Sequence, residues 1–175
     1  EYNGIEIVFI PPLRQLFTVT YGRFIADRYI SKVIARDKWP EPTEFAFQLL
    51  SERNIEAFYA SSQSAFATAI DIETTRTNLA IRCIGYTNIF VGPTGIITTE
   101  SAVLPMDSTW ALQWMRRLNS SPSQKIFQNG KYDCSYLLRY NAPPTNWLWD
   151  TAHFMHSWYS ELPKDLAFLN AFFLR

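Results

Sequence analysis

The sequence is poor in cysteine and has no excess of either charge. Its 175 residues include only two cysteines, Cys83 and Cys134, and 16 basic residues balance 16 acidic ones. Two cysteines without metal-ligand spacing exclude a small disulfide scaffold, so we expect free thiols in a reducing compartment. A chain of zero net charge also lacks the basic excess that usually accompanies the binding of phosphate groups.

Long apolar runs are absent as well. No stretch of about 18 apolar residues occurs, and no signal-peptide pattern opens the chain, so we expect no membrane partner and no secretion. A hydrophobic fraction of 47% with 18% charged residues is typical of a folded globular protein. The length suits one domain with a small appendage. Because the chain begins at Glu1 rather than Met, we expect a fragment of a longer protein.

The first part of the chain, residues 1–60, predicts a small N-terminal helical appendage of unknown role. A strand-like run, Ile5–Ile10, precedes an amphipathic helix over about Arg23–Asp37, and a second helix is expected over Thr43–Arg53. The sequence YASSQSA at residues 59–65 then predicts an exposed loop or linker.

The second part, residues 61–175, alternates strand and helix signals. The expected strands are Phe66–Ile72, Ala80–Tyr86, Ile89–Val91, Gly95–Thr99 and Lys125–Gln128. The expected helices lie around Trp110–Leu118, Tyr132–Tyr140, Thr151–Trp158 and Lys164–Leu174, with a Pro-rich turn at Ala142–Asn146. Strands followed by alternating strands and helices predict an α/β domain built on a mixed β-sheet.

Two acidic residues stand one residue apart where the first of these strands ends. On a β-strand, the side chains of Asp71 and Glu73 project to the same face, with Cα atoms about 6.5–7 Å apart. Two hard carboxylates on one face suit Mg²⁺ or Mn²⁺, and a two-metal site needs further ligands. A third acid, Asp133, follows a short strand and opens a helix within KIFQNGKYDCSYLL.

The order of these motifs resembles the 3′→5′ exonuclease domain of family A DNA polymerases, phage-type members in particular. The resemblance rests on Asp-x-Glu at a strand end and on Asn-x-x-Tyr-Asp at a helix start about sixty residues later. It runs from about Phe66 to Arg175 and includes LWDTAHFMHSWYSELPKDLAFLNAFF. The family belongs to the DEDD nucleases, which have an RNase H-like fold.

The resemblance implies an RNase H-like mixed β-sheet flanked by helices, and an exonuclease domain over residues 61–175. It implies proofreading during DNA replication, by hydrolysis of single-stranded or mispaired DNA 3′ ends. It also implies two Mg²⁺ or Mn²⁺ ions, a covalently linked DNA polymerase domain as partner, and the cytoplasm of a bacterial or phage-infected cell.

The site residues follow from the same resemblance, position by position. Asp71 and Glu73 match the metal ligands of the first motif, and Glu73 is also placed to meet the 3′-hydroxyl group of the terminal nucleotide. Asp133 matches the ligand of the second motif. Three further residues match positions that contact the single-stranded end: Thr74, Asn129 and Tyr132.

The third motif of that family, Tyr-x-x-x-Asp, is missing after Asp133. Each Tyr or His in this region is followed four residues later by Tyr, Ser or Pro, never by an acid. We therefore expect the domain to be truncated at its C-terminus. Two alternatives stay open: a non-cutting nucleic-acid-binding or interaction module with a nuclease fold, and an RNA-processing exonuclease of the RNase D type. Asp150, just before Thr151, is expected to be a helix N-cap.

Overall fold

The computed structural model describes residues 46–77 and 79–173, together with six positions of helical geometry: Gly22, Ala26, Asp27, Ile30, Ser31 and Ile34. Among the described residues, 46–154 lie in one compact unit, and 155–173 belong to a second. The expected strand Ile5–Ile10 and most of the expected helix Arg23–Asp37 lie outside the described residues. The division of the chain into residues 1–60 and 61–175 stays a prediction.

Six strands form one mixed sheet in the spatial order β1-β4-β3-β2-β5-β6. They are β1 (Phe47–Leu49), β2 (Ala67–Thr74), β3 (Ile81–Val91), β4 (Ile97–Pro105), β5 (Gln124–Phe127) and β6 (Trp147–Asp150). β3 runs antiparallel to β2 and β4, whereas β2, β5 and β6 run parallel to one another. The carboxyl ends of β2, β5 and β6 therefore meet at the same edge of the sheet.

The part of the chain that the structure describes contains five helices. They are α1 (Ile55–Ser64), α2 (Thr109–Asn119), α3 (Gly130–Arg139), α4 (Thr151–Trp158) and α5 (Leu166–Phe173). The expected α/β class with a mixed sheet is confirmed. Within the described ranges, none of these helices has the length and apolar character needed to cross a membrane. Cys83 and Cys134 are free thiols, as expected.

Several expected elements differ from the structure. The expected strands Ala80–Tyr86 and Ile89–Val91 are parts of one strand, β3, because its pairing with β4 continues through both. The described part of the expected helix Thr43–Arg53 contains β1 and a turn, since this segment pairs with the edge strand β4.

The expected loop at residues 59–65 lies almost wholly in α1. Ile55, Phe58 and Ser62 form the buried side of this helix. The hydroxyl groups of Ser62 and Ser64 donate hydrogen bonds to backbone carbonyls three residues earlier, at 2.7 and 3.0 Å. The serines are therefore satisfied within a helix, although serine-rich sequence favours loops.

The hydrophobic core lies on one face of the sheet and decides which way β2 presents its acids. Ile70 and Ile72 are buried, together with Ile84 of β3 and Leu104 of β4. Helices α2 and α3 cover this face with Ala111, Met115, Leu118 and Leu137. Because side chains alternate along a strand, burial of the two isoleucines places the residues between and after them on the opposite face.

A polar cluster that the sequence does not reveal is buried next to β2. The Nζ atom of Lys125 donates hydrogen bonds to the carbonyl oxygens of Ser121 and Ser123 at 2.9 and 2.6 Å. The hydroxyl groups of Thr68 and Ser123 lie 2.8 Å apart. Burial lowers the pKa of Lys125 to about 8. The contact between Thr68 and Ser123 links β2 to the residue just before β5, in addition to the backbone pairing of the two strands.

Candidate active site

Asp71 and Glu73 stand on the exposed face of β2, near its carboxyl end. Both side chains are exposed, and their partners across the β2–β3 ladder are Gly85 and Cys83 respectively. The regular register ends between Glu73 and Thr74. The two carboxylates thus occupy the same side of a central strand at the point where its pairing becomes irregular.

Among the described residues, no salt bridge balances the charges of this acidic pair. Partial desolvation raises the pKa of Asp71, and the neighbouring Glu73 carboxylate raises it further. Burial raises the pKa of the Cys83 thiol, and Glu73 contributes in the same direction. Within the described ranges of the chain, neither Asp71 nor Glu73 takes part in a salt bridge. A positive ion at this face would relieve the repulsion.

Asp133 reaches the same strand from the first turn of α3. Its side chain is buried, and its Oδ1 atom accepts a hydrogen bond from the backbone N–H of Ile72 at 3.0 Å. β5 pairs with β2 only as far as Ala69, so the Ile72 amide lies beyond that ladder. Asp133 satisfies this amide and is therefore held next to the residue between Asp71 and Glu73.

The surroundings of Asp133 disfavour its ionised form. Burial raises its pKa to about 6, the hydrogen bond from Ile72 opposes this, and the negative charges of Asp71 and Asp150 add to the increase. A bound cation would favour the carboxylate form, because a positive charge lowers the pKa of a nearby acid.

Three residues are expected to contact the single-stranded end of the nucleic acid, and two of them contact each other in the structure. The hydroxyl groups of Thr74 and Tyr132 lie 3.0 Å apart, and the Tyr132 ring is half exposed, with its centroid 4.9 Å from that of Tyr136. Asn129 precedes α3 with a left-handed backbone, φ 55°, and its carbonyl oxygen accepts a hydrogen bond from the Tyr132 amide. Contact of these residues with nucleic acid stays a prediction.

Asp150 is an N-cap, as expected, and has a second set of contacts. Its Oδ1 atom accepts hydrogen bonds from the amides of Ala152 at 2.9 Å and His153 at 3.3 Å, which caps α4. The same atom accepts one from the Asn129 amide at 3.0 Å, and Oδ2 accepts one from the Gly130 amide at 2.7 Å. The cap is visible in the sequence, but the link to Asn129 and Gly130 depends on tertiary structure.

The donor set fits a hard divalent cation in its chemistry. Asp71, Glu73 and Asp133 offer only carboxylate oxygens, which Mg²⁺ and Mn²⁺ prefer over the nitrogen and sulfur ligands of zinc sites. Across residues 46–77 and 79–173, however, no group of three or more His, Cys, Asp or Glu side chains is arranged to hold a metal ion. The structure brings Asp133 to β2 without closing the three acids into a metal cage.

Comparison with known proteins supports the fold rather than a family membership. No protein-family model matches the sequence, and no curated protein sequence matches it. The solved structure of the EXO domain of Nibbler from Aedes aegypti is similar, with a TM-score of 0.52 and 11% sequence identity. This likeness covers 77% of the present chain and 72% of the Nibbler chain.

Two further solved structures show weaker likeness. RNase D from Escherichia coli, an exoribonuclease involved in structured RNA processing, has a TM-score of 0.47 and 14% identity over 69% of this chain. The POL domain of Pol1 from M. smegmatis, solved with DNA primer-template and dNTP, has a TM-score of 0.48 and 10% identity over 63% of this chain. The present chain spans 36% of the RNase D chain and 19% of the Pol1 chain.

The likeness to the Nibbler EXO domain confirms the expected fold class, an RNase H-like mixed sheet flanked by helices. The expected resemblance to 3′→5′ exonuclease domains is therefore confirmed at the level of the fold.

Proposed function

We propose that the chain is a divalent-metal-dependent 3′→5′ exonuclease domain that removes nucleotides from single-stranded or mispaired DNA 3′ ends. The observation that carries this proposal is the hydrogen bond from the Ile72 amide to Asp133. It places the acid of the second motif beside the strand segment that presents Asp71 and Glu73. In this proposal the chain is part of a DNA polymerase, acts in proofreading and is cytoplasmic.

The acids and their neighbours have separate roles in the proposed reaction. Asp71, Glu73 and Asp133 hold the ions, and Glu73 also meets the 3′-hydroxyl group of the terminal nucleotide. When bound, the two ions supply an activated water and charge stabilisation at the leaving 3′ oxygen. The half-exposed Tyr132 ring and the hydroxyl group of Thr74 lie at the carboxyl end of β2. In this proposal they contact the frayed 3′ end of the DNA.

Preference for mispaired ends follows from the energy of unpairing. A 3′ end must leave the duplex to reach the acids at the carboxyl end of β2. Unpairing costs a few kcal/mol, and it costs least at a mismatch. The chain therefore needs no contact with the mismatched base itself to prefer it.

A second candidate function is a module with this fold that binds a nucleic-acid end without cutting it. It is favoured by one observation: the three acids form no metal cage in the described part of the chain. Such a module would contact the nucleic-acid end through Thr74, Asn129 and Tyr132 but would not hydrolyse it.

The test is an oligonucleotide carrying a 5′ label, incubated with the chain and Mg²⁺, Mn²⁺ or EDTA. Single-stranded DNA, single-stranded RNA of the same sequence, and DNA duplexes with a matched or mismatched 3′ end are compared. Asp71→Asn is the inactive variant. Asp107→Asn, which changes an exposed aspartate just before α2, is the matched control.

The proposed function predicts a ladder of products shortened from the 3′ end, faster for the mismatched duplex, abolished by EDTA and by Asp71→Asn but not by Asp107→Asn. Shortening of RNA alone would assign an RNA-processing activity instead. Binding of single strands without shortening would support the second candidate, and absence of both would refute the two candidates together.

A further inference from the structure

The carboxylate of Asp150 joins two helices that begin at different places in the chain. Asp150 is the last residue of β6 and is 6% exposed. Two backbone amides of α4 and two at the start of α3 donate to its oxygens, at 2.7 to 3.3 Å. A carboxylate that accepts several amide hydrogen bonds is held in one orientation, because each bond fixes a different direction.

The amides at the start of α3 have no acceptor in their own helix. The first N–H groups of any helix lack an intrahelical partner, and the Asn129 side chain makes no capping hydrogen bond. Asn129 also has a left-handed backbone, so the chain turns sharply into α3. The Asp150 oxygens satisfy the amides of Asn129 and Gly130 and hold this turn in place.

The turn lies immediately before the residues that meet β2. Tyr132 and Asp133 follow Gly130 within the first turn of α3, and they bond to Thr74 and to the Ile72 amide. A helix start that moved by one ångström would carry both side chains with it, and a misplacement of that size weakens a catalytic site strongly.

We propose that Asp150 is a positioning residue of the exonuclease site: it fixes the start of α3 and thereby holds Asp133 and Tyr132 against β2. This inference rests on the proposed function. It assigns Asp150 no contact with substrate or metal ion. The competing explanation is purely structural, with Asp150 acting only as the N-cap of α4.

One substitution separates the two explanations. In Asp150→Ser the hydroxyl group still caps α4, because serine is among the best N-cap residues. The serine side chain has a single oxygen, one bond closer to the backbone, and cannot reach the Asn129 and Gly130 amides as well. Asp165→Ser is the matched control, since Asp165 Oδ1 accepts a hydrogen bond from the Phe168 amide at 2.8 Å and caps α5.

The first measurement is kcat and KM on single-stranded DNA with Mn²⁺, at a temperature where all variants are fully folded. We expect Asp150→Ser to lower kcat/KM by about 10- to 100-fold, which is typical of residues that orient metal ligands without touching the metal ion. Asp165→Ser should stay within about 2-fold of the original chain. Asp150→Asn, which keeps one acceptor oxygen, should recover part of the loss. Equal activity of the two serine variants would overturn the inference.

The second measurement is amide hydrogen exchange, which needs no activity. In Asp150→Ser we expect the amides of Asn129 and Gly130 to lose protection while the Ala152 amide keeps it. Unchanged protection at Asn129 and Gly130 would also overturn the inference.

The two failures remain distinguishable. If the original chain cuts DNA but Asp150→Ser cuts equally well, the inference fails and the proposed function stands. If the original chain cuts nothing, the proposed function fails. Mn²⁺ titration then decides the inference: a weaker affinity in Asp150→Ser than in Asp165→Ser supports it, and equal or absent binding overturns it.

Discussion

The hydroxyl groups of Thr74 and Tyr132 lie 3.0 Å apart, so a hydrogen bond joins the last residue of β2 to the first turn of α3. The adjacent residue of the helix, Asp133, accepts a second hydrogen bond from β2, donated by Ile72. Residues that are about sixty positions apart in the chain are thus held together by two neighbouring bonds, one exposed and one buried.

The first prediction concerns the exposed bond of this pair. In a double-mutant cycle of Thr74→Val and Tyr132→Phe, we expect a coupling energy of about 0.5 kcal/mol in the free energy of unfolding, at the low end for a neutral hydrogen bond because water competes for both groups. Urea unfolding of the four proteins measures it. Thr74→Val combined with Tyr59→Phe, on α1, should show no coupling. The same coupling in both cycles would contradict the prediction.

The second prediction concerns the pH dependence that Asp133 gives to stability. Its pKa is about 6 in the folded chain against an ordinary value of 3.8, because burial disfavours the charge. Below about pH 4 the group is protonated in both states and the folded chain suffers no penalty. As the pH rises towards 6 the unfolded chain releases the proton first, so stability is lost, by up to about 3 kcal/mol above pH 7.

Asp133→Asn keeps an acceptor for the Ile72 amide and removes the charge. In urea unfolding with EDTA, we expect the variant to be more stable than the original chain at pH 7 and equally stable below pH 4. Asp107→Asn, at an exposed position, should follow the original chain throughout. A stability difference that does not change between pH 4 and pH 7 would show that burial of the Asp133 charge costs nothing.

The third prediction is that Mn²⁺ stabilises the folded chain through Asp71. An ion that binds only the folded state adds about 2.7 kcal/mol at a concentration of 100 Kd, which corresponds to roughly 5–10 °C in Tm for a chain of this size. Thermal unfolding with and without Mn²⁺ measures the shift. We expect most of it to vanish in Asp71→Asn and to persist in Asp107→Asn. An equal shift in both variants would place the ion elsewhere.

The fourth prediction concerns the packing of Gly130 beneath the α3 turn. A Cβ atom at this position would lie 2.5 Å from Phe127 Cβ, closer than real atoms approach, and 3.0 Å from Trp147 Cζ2, which is a tight contact. We expect Gly130→Ala to lower the free energy of unfolding by about 1–3 kcal/mol, as overpacking does. Gly85→Ala is the control, because its Cβ would meet only Asp71 O at 3.8 Å. Urea unfolding measures the stability of both variants. Equal stability of Gly130→Ala and Gly85→Ala would contradict the prediction.

Local patterns explain why much of the fold could be predicted. The helix Thr151–Trp158 has the predicted bounds, and β5 and α3 lie within two residues of theirs. Apolar periodicity and N-caps are local signals, so the sequence shows them directly. The prediction of a loop at residues 59–65 was wrong because this segment belongs to a helix with a buried side, and two of its serines, Ser62 and Ser64, bond to carbonyl groups of that helix, which composition alone does not indicate.

The sequence by itself determined that Asp71 and Glu73 share one face of a strand, because side chains alternate along any strand, and that Asp150 caps a helix, because a cap is local. Only the tertiary structure decided that Asp133 meets the Ile72 amide and that Asp150 holds the Asn129–Gly130 turn. These contacts depend on where β5 stops pairing with β2 and on the parallel alignment of β6, which are set by packing between distant segments.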